Sequence, residues 1–227
     1  MRRVEGYAEK SPGELKHLMD PYRLVLATRN PGKIVEFRRI LSEVAPTMNL
    51  EIELVGLDQF PDLKDVDETG STFLENALLK ARTISAETGL PAIADDSGLC
   101  IDALDGAPGI FSARWAGEHG NDGANVEKVL SQMTGIPDEK RGAHFTCVTA
   151  FVAEDGSHLS EEGRMSGSIL WSPIGSNGFG YDPIFRPDGS ELSTAQFEAA
   201  AKDAISHRGQ SLRAIAPRIT AFLGALR

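Results

Sequence analysis

Three features of the sequence predict an α/β fold with a mixed, strongly twisted central sheet, flanking helices and two lobes around a substrate cleft. Short apolar runs alternate with helical stripes in the first half. Long strand patterns joined by a hairpin signal fill the second. The 227 residues show no internal repeat and no linker after residue 20. A chain of this length buries roughly 70% of the surface its unfolded form exposes, enough for a core without disulfides. Residues 1–20, with Ser11-Pro12-Gly13 and Asp20-Pro21, read as a poorly ordered N-terminal extension, and 21–227 as one α/β domain.

Leu24-Val25-Leu26-Ala27 is a buried strand run, and Asn30-Pro31 after it is a helix N-cap with proline at the first helical position. Ile34, Phe37, Ile40, Leu41 and Val44 recur at helical spacing, with Glu36, Arg38, Arg39 and Glu43 on the other face. Leu50, Ile52 and Leu54 alternate with Glu51 and Glu53 as in a half-exposed strand, before an Asp- and Gly-rich loop over 58–70. Thr72 and Glu75 have capping-box spacing; the stripe Phe73, Leu74, Ala77, Leu78, Ala81, Ile84 then runs to Gly89-Leu90-Pro91.

Ala92-Ile93-Ala94 is a third short strand that runs into Asp95-Asp96-Ser97-Gly98. Two carboxylates and a hydroxyl thus sit at a strand's carboxyl end, where open α/β sheets bind ligands. Val126, Val129, Leu130 and Met133 mark another helix. Residues 145–153 and 163–170 read as antiparallel strands about Glu154-Asp155-Gly156. A Gly-rich loop over 175–180 leads to Tyr181-Asp182-Pro183. An Ala-rich helix spans about Thr194 to Ala204, and a last helix follows Gly209 with a kink at Pro217.

The balance of 23 Lys+Arg against 33 Asp+Glu, a net charge of -10, disfavours polymeric nucleic acid as a partner while leaving room for a small anion accompanied by a divalent cation. Only Cys100 and Cys147 occur, both in apolar stretches, so neither a disulfide framework nor a cysteine zinc site is indicated. No run approaches the ~18 apolar residues of a membrane span. A reducing, cytoplasmic location and no membrane partner are therefore expected.

Thr28-Arg29-Asn30-Pro31-Gly32-Lys33 lies at a strand-to-helix turn, where free amides and the helix dipole attract phosphate and Lys33 adds a charge. It lacks the upstream glycine of a Walker loop, and Ile34 stands where that loop has Ser or Thr. A capped helix with a surface lysine also explains it. Asp95 and Asp96 offer hard oxygen ligands suited to Mg2+, the alternative being an Asx-type turn. Asp67-Glu68 and Glu75 supply more carboxylate, or simply a solvated helix start. Lys202, His207 and Arg208 gather three basic groups in seven residues, so an anionic or acceptor-rich partner is expected to face them. No Gly-x-Ser-x-Gly elbow supports serine hydrolase chemistry.

Six segments carry a resemblance. They are Thr28-x-Asn30-x-Gly32-Lys33, Glu68-Thr69-Gly70-x-Thr72-Phe73-x-Glu75-Asn76-Ala77, Ala94-Asp95-Asp96-Ser97-Gly98-Leu99, Gly106-Ala107-Pro108-Gly109-Ile110-x-Ser112-Ala113-Arg114, Gly178-Phe179-Gly180-Tyr181-Asp182-Pro183 and Ser206-His207-Arg208. In that order, over residues 23 to about 224, the chain resembles the inosine/xanthosine triphosphate pyrophosphatase family. The resemblance implies Mg2+-dependent hydrolysis of ITP, dITP and XTP to the monophosphate and pyrophosphate, by a homodimer. It implies that Thr28, Arg29, Asn30, Pro31, Gly32 and Lys33 grip the triphosphate, and that Asp96 is the proton acceptor and a metal ligand together with Glu68. Ser97, Phe179, Gly180, Tyr181, Asp182, Lys202, His207 and Arg208 would contact substrate.

Departures are the large Arg29 at a turn position that is often small in the family, Ala201 in place of an acid, and Pro217. Whether Asp67 or Glu68 meets the metal, and how Asp95 and Asp96 divide their work, stays open. Lys33 would offset charge on the leaving pyrophosphate, and the α–β linkage would be the one cleaved. A 6-oxo purine would be chosen by donors of the Ser206-His207-Arg208 turn, with Phe179 or Tyr181 stacking on the ring and Asp182 accepting from a base N–H. Trp171 and Ile174 are either dimer interface or core. The alternatives in function are a pyrophosphatase for modified pyrimidine nucleotides and a non-catalytic nucleotide sensor.

Overall fold

The computed structural model describes residues 21–44 and 51–225. The expectations for residues 1–20 and for Leu50 lie outside them. Six strands form one sheet: β1 (Tyr22–Leu26), β2 (Ile52–Gly56), β3 (Ala92–Ile101), β4 (Gly142–Val152), β5 (His158–Ile169) and β6 (Phe185–Pro187), in the order β2-β1-β3-β4-β5-β6. β1 pairs in parallel with β2 and β3, and every pairing from β3 to β6 is antiparallel, so the sheet is mixed. The helices are α1 (Pro31–Val44), α2 (Phe73–Thr88), α3 (Asp122–Gln132), α4 (Ala199–Ile205) and α5 (His207–Gly224).

The two-residue period of β1 explains its uninterrupted apolar sequence, because both faces are covered. Val25 and Ala27 face Ala77, Ala81 and Ile84 of α2, whereas Leu24 and Leu26 face Phe37 and Ile40 of α1 and Leu212 and Ile215 of α5. A third core joins Leu99 and Ile101 of β3, Phe145 of β4 and Met165 of β5 to Val126, Val129 and Met133, which α3 brings. β3 thus belongs to one lobe at Ala92–Ala94 and to the other at Leu99–Ile101, and Asp95–Gly98 forms the waist between them.

That is a correction to the short strand expected at 92–94. Asp95-Asp96-Ser97 has turn-like composition, yet β3 pairs with β4 without a break from Ala92↔Val152 to Ile101↔Ala143. The acids lie mid-strand, but they do lie past the end of the parallel part, since β1 pairs with β3 only as far as Leu26↔Ile93. β4 and β5 likewise begin earlier than expected, at Gly142 and His158, with Gly156 at φ 84 in the hairpin.

Local capping follows the sequence closely. Asn30 Oδ1 accepts from the Lys33 amide, and Gly89 closes α2 in the left-handed conformation at φ 66. The Thr72 hydroxyl accepts from the Glu75 amide, but the reciprocal bond of Glu75 goes to Ser71, which keeps Glu75 at the exposed helix start and out of the cleft. The expected helix from Thr194 is a 3-10 turn at Thr194–Gln196 followed by α4. The last helix starts at His207, not after Gly209: Ser206 caps it by accepting from the Gly209 amide, and a side chain at 209 would strike the Asp203 carbonyl. α5 continues through Pro217. No helix among the described residues is long and apolar enough to cross a membrane.

Candidate active site

A cleft of about 620 Å³ lies at the waist, lined by the β1–α1 turn, the 64–68 loop, α2, Asp96–Leu99, the 110–114 turn, the 179–182 loop and the start of α5. Because successive strand residues point to opposite faces, Asp95 follows Ile93 toward α1 and α5, and Asp96 follows Ala94 toward α2.

Asp95 Oδ2 accepts from Lys33 Nζ at 3.0 Å and from Arg208 Nε and Nη2 at 3.3 and 3.2 Å. Burial alone would raise its pKa; the Lys33 and Arg208 charges overcome that and hold it well below the carboxylate range. Arg208, itself buried, also pairs through Nη1 with Glu36 and donates from Nη2 to the Ser97 hydroxyl at 2.8 Å. Lys202 Nζ completes the chain by bridging Glu36 Oε1 at 2.9 Å and Asp182 Oδ2 at 2.5 Å.

The three basic groups expected to face a foreign anion are thus partly neutralised by the protein's own carboxylates. His207 is not a cation at all: its buried ring stacks on Phe145 at 4.8 Å, and burial, with the Arg208 charge beside it, pushes its pKa well below 6.5. Its Nδ1 is buried without a partner among the described residues. Glu36, read from the sequence as solvated, is 5% exposed. Burial would raise its pKa, but Arg208 and Lys202 bring it to about 2.

On the opposite face, Asp96 Oδ2 accepts from Asn76 Nδ2 at 3.1 Å, and its Oδ1 from the Ser97 amide at 3.0 Å and from Lys80 Nζ at 3.5 Å. Lys80 Nζ is also 2.5 Å from Glu68 Oε1, and Arg114 reaches Glu68 Oε2 at 3.2 Å. Burial outweighs these cations at Asp96 and raises its pKa, so the two neighbouring acids are driven apart in proton affinity. Asp67 and Glu68 both line the cleft, but Asp67 is exposed whereas Glu68 is partly buried and held by Lys80 and Arg114. Glu68 and Asp96 converge on one ammonium, a pair of hard oxygen donors that fits a cation taking one or two carboxylates and filling its shell with water and phosphate.

The β1–α1 turn presents donors. Thr28 Oγ1 accepts from the Asn30 amide, while the amides of Arg29 and Gly32 donate to no described residue. Free amides of this kind occur at any capped helix start and are also what a phosphate cradle needs. The Arg29 side chain turns aside to Asp65 and the Leu63 carbonyl. Gly32 lies under Phe179, whose ring a Cβ there would meet at 2.6 Å. Phe179 stands in the cleft with Lys202 Nζ 5.1 Å from its centroid, and its amide donates to Asp182 Oδ2. The Gly180 amide donates to Asp122. Tyr181 also lines the cleft, but it is buried, packs in the second lobe's core and donates its hydroxyl to the Ser112 carbonyl.

Sequence reasoning missed Glu36 and Lys80 and gave Asn76 and Arg114 no role. The signals were faint. Glu36 lies one turn beyond Lys33, and Lys80 one turn beyond Asn76, so each shares a helix face with a residue already in a motif.

The sequence and the structure match known proteins over most of their length. The model of the Ham1 family matches residues 24–218. The dITP/XTP pyrophosphatase of Streptomyces coelicolor is 53% identical over 202 residues, 89% of this chain and 99% of that protein. A HAM1 protein structure from Coxiella burnetii is 42% identical and superposes with a TM-score of 0.78 over 88% of this chain and 99% of its own. A dITP/XTP pyrophosphatase structure from Mycobacterium abscessus is 46% identical, with a TM-score of 0.69 over 87% and 99%. With that coverage, and with the matched segments meeting at one cleft, the chain belongs to the Ham1 family.

Proposed function

We propose that this protein hydrolyses dITP, XTP and ITP to the nucleoside monophosphate and pyrophosphate with Mg2+, acting in the cytoplasm on the nucleotide pool. The chain is a nucleoside triphosphate pyrophosphatase, as its half-identity to enzymes of that name over nearly their whole length indicates. The observation that carries the finer reading is the divergence of two adjacent acids. Asp95 is locked between cations and is a poor proton acceptor, whereas buried Asp96 is the better base and faces the cleft.

Asp96 would take the proton of a water aimed at the α-phosphorus. Glu68 and Asp96 would hold Mg2+, which when bound offsets phosphate charge. The Arg29 and Gly32 amides and the α1 N-terminus would hold the outer phosphates as the leaving unit, with Lys33 near them. Phe179 is the ring left to stack on the base. Arg208 has one N–H on Nη1 not spent on Asp95, Glu36 or Ser97, enough to donate to a purine O6 but useless to an amino group. Asp182 Oδ1 accepts from no described residue and suits a base N–H.

Incubation with dITP and Mg2+ is expected to give dIMP and pyrophosphate as first products, and chelation of the metal should stop the release. Orthophosphate with dIDP would refute the α–β assignment. We also infer a homodimer: Trp171 and Ile174 are not core but 58% and 45% exposed on one connection, with Arg141 stacked 4.1 Å from the Trp171 ring. Sedimentation should give about twice the 24.4 kDa chain mass at micromolar concentration, and a mass near 24.4 kDa would reject the dimer.

A further inference from the structure

Arg29 sits in the cradle turn, yet its guanidinium reaches across to the loop after β2. Nε donates to Asp65 Oδ1 at 2.8 Å and Nη2 to the Leu63 carbonyl at 2.7 Å. β1 and β2 are parallel neighbours, so the two loops leave the sheet at the same end. The acidic loop has little else to hold it where it matters. Residues 64–69 exchange no backbone–backbone hydrogen bond with described residues, and none of their amides donates to a side chain there. Apolar anchorage comes from Leu63 and Val66, partly buried against the first core. The other polar hold is Glu68 itself, through Lys80 and Arg114. Any cation drawn to Glu68 and Asp96 competes with Lys80 for the same oxygens, so part of that hold is given up when the site fills.

We propose that Arg29 is a positioning residue: it straps the acidic loop to the phosphate cradle and keeps the Glu68 carboxylate within reach of the cation position. The strap rests on the pyrophosphatase reading only for its purpose; its mechanical content is independent. Side-chain exposures of 41% for Arg29 and 84% for Asp65 limit its strength. The effect of cutting it should be about threefold to fivefold, the upper part of the range of an exposed ion pair.

The test compares Arg29→Ala, Asp65→Ala and the double variant with the wild type. Mn2+ affinity is measured by electron paramagnetic resonance without nucleotide, hydrogen exchange is followed over 63–70, and KM for dITP is taken at saturating metal. Both single variants should bind Mn2+ about threefold to fivefold more weakly and exchange faster over 63–70, with the double no worse than either single, and Asp65→Ala should keep KM for dITP within about twofold of wild type. A severalfold rise in KM for Arg29→Ala, absent in Asp65→Ala, would instead make Arg29 a phosphate ligand. Unchanged Mn2+ affinity and exchange in both singles would show that the strap carries nothing. If the wild type releases no pyrophosphate from any purine triphosphate, the enzymatic reading falls, while the exchange and Mn2+ comparisons still decide the strap.

Discussion

Asp96→Asn is expected to lower turnover by on the order of a hundredfold or more while leaving the fold close to wild-type stability. The amide keeps the carboxylate's volume but cannot take a proton from water. Its effect on stability is small because two changes oppose each other. Removing the charge relieves a buried carboxylate whose pKa burial has raised. Against that, the groups around Asp96 are all donors, namely the Ser97 amide, Asn76 Nδ2 and Lys80 Nζ, so the new NH2 must face one of them. Asn76 cannot simply rotate to offer its oxygen, which already accepts from the Gly70 amide at 2.8 Å. A net change within about 1 kcal/mol follows, since one neutral hydrogen bond is worth about that much. Pyrophosphate release at saturating Mg2+ and a thermal melt together check it. Activity within a few-fold of wild type would take the proton-acceptor role from Asp96.

The contrast between the neighbouring acids also shows where sequence reading stops. Adjacent aspartates in one motif look alike in one dimension. Alternation along β3 turns one toward Lys33 and Arg208 and the other toward Lys80, and that could be read only once Asp95-Asp96-Ser97 was known to be strand instead of turn. The ladder that makes it strand comes from β4, roughly fifty residues away, so no local propensity reports it. The parts fixed by nearby residues were legible: the Asn30 cap, the Thr72 cap, the Gly89 stop, and the packing of Ala77, Ala81 and Ile84 on the sheet.

The sequence pattern puts Glu36 on the polar face of α1, where an amphipathic helix normally exposes its charges. Its burial is compensated by Lys202 and Arg208, both more than 160 residues distant in sequence. The same compensation explains why His207 looks basic in sequence and is neutral in place, since two neighbouring cations and burial leave no room for a third charge. Truncating Arg208 would strand Glu36 and Asp95 together, so an alanine there would report on this buried network before it reported on base selectivity.

Asp95→Asn is accordingly expected to act on the fold first. Its Oδ2 alone meets Lys33 and two nitrogens of Arg208, and its Oδ1 is buried with no partner among the described residues. An amide in its place keeps the shape but leaves a fully buried guanidinium with less than its due of negative charge. Breaking a buried pair in this way costs about 3–5 kcal/mol, which for a chain of this size lowers Tm by roughly 10 °C. The pH dependence gives a sharper check. A carboxylate whose pKa is lower folded than unfolded binds fewer protons in the native state, so its stabilisation is whole above the unfolded pKa and is lost as pH falls toward the folded one. For Asp95 the loss begins near the ordinary value of 3.8 and continues downward. The gap between wild type and Asp95→Asn should therefore be constant from pH 5 to 7 and narrow by about 1.4 kcal/mol per pH unit below about pH 4. Glu36, whose stabilisation fades between 4.5 and about 2, is present in both proteins and leaves that difference nearly untouched. Denaturant unfolding at a series of pH values measures the gap. A gap as wide at pH 3 as at pH 7 would mean that Asp95 stabilises by packing or geometry, not by its charge between Lys33 and Arg208.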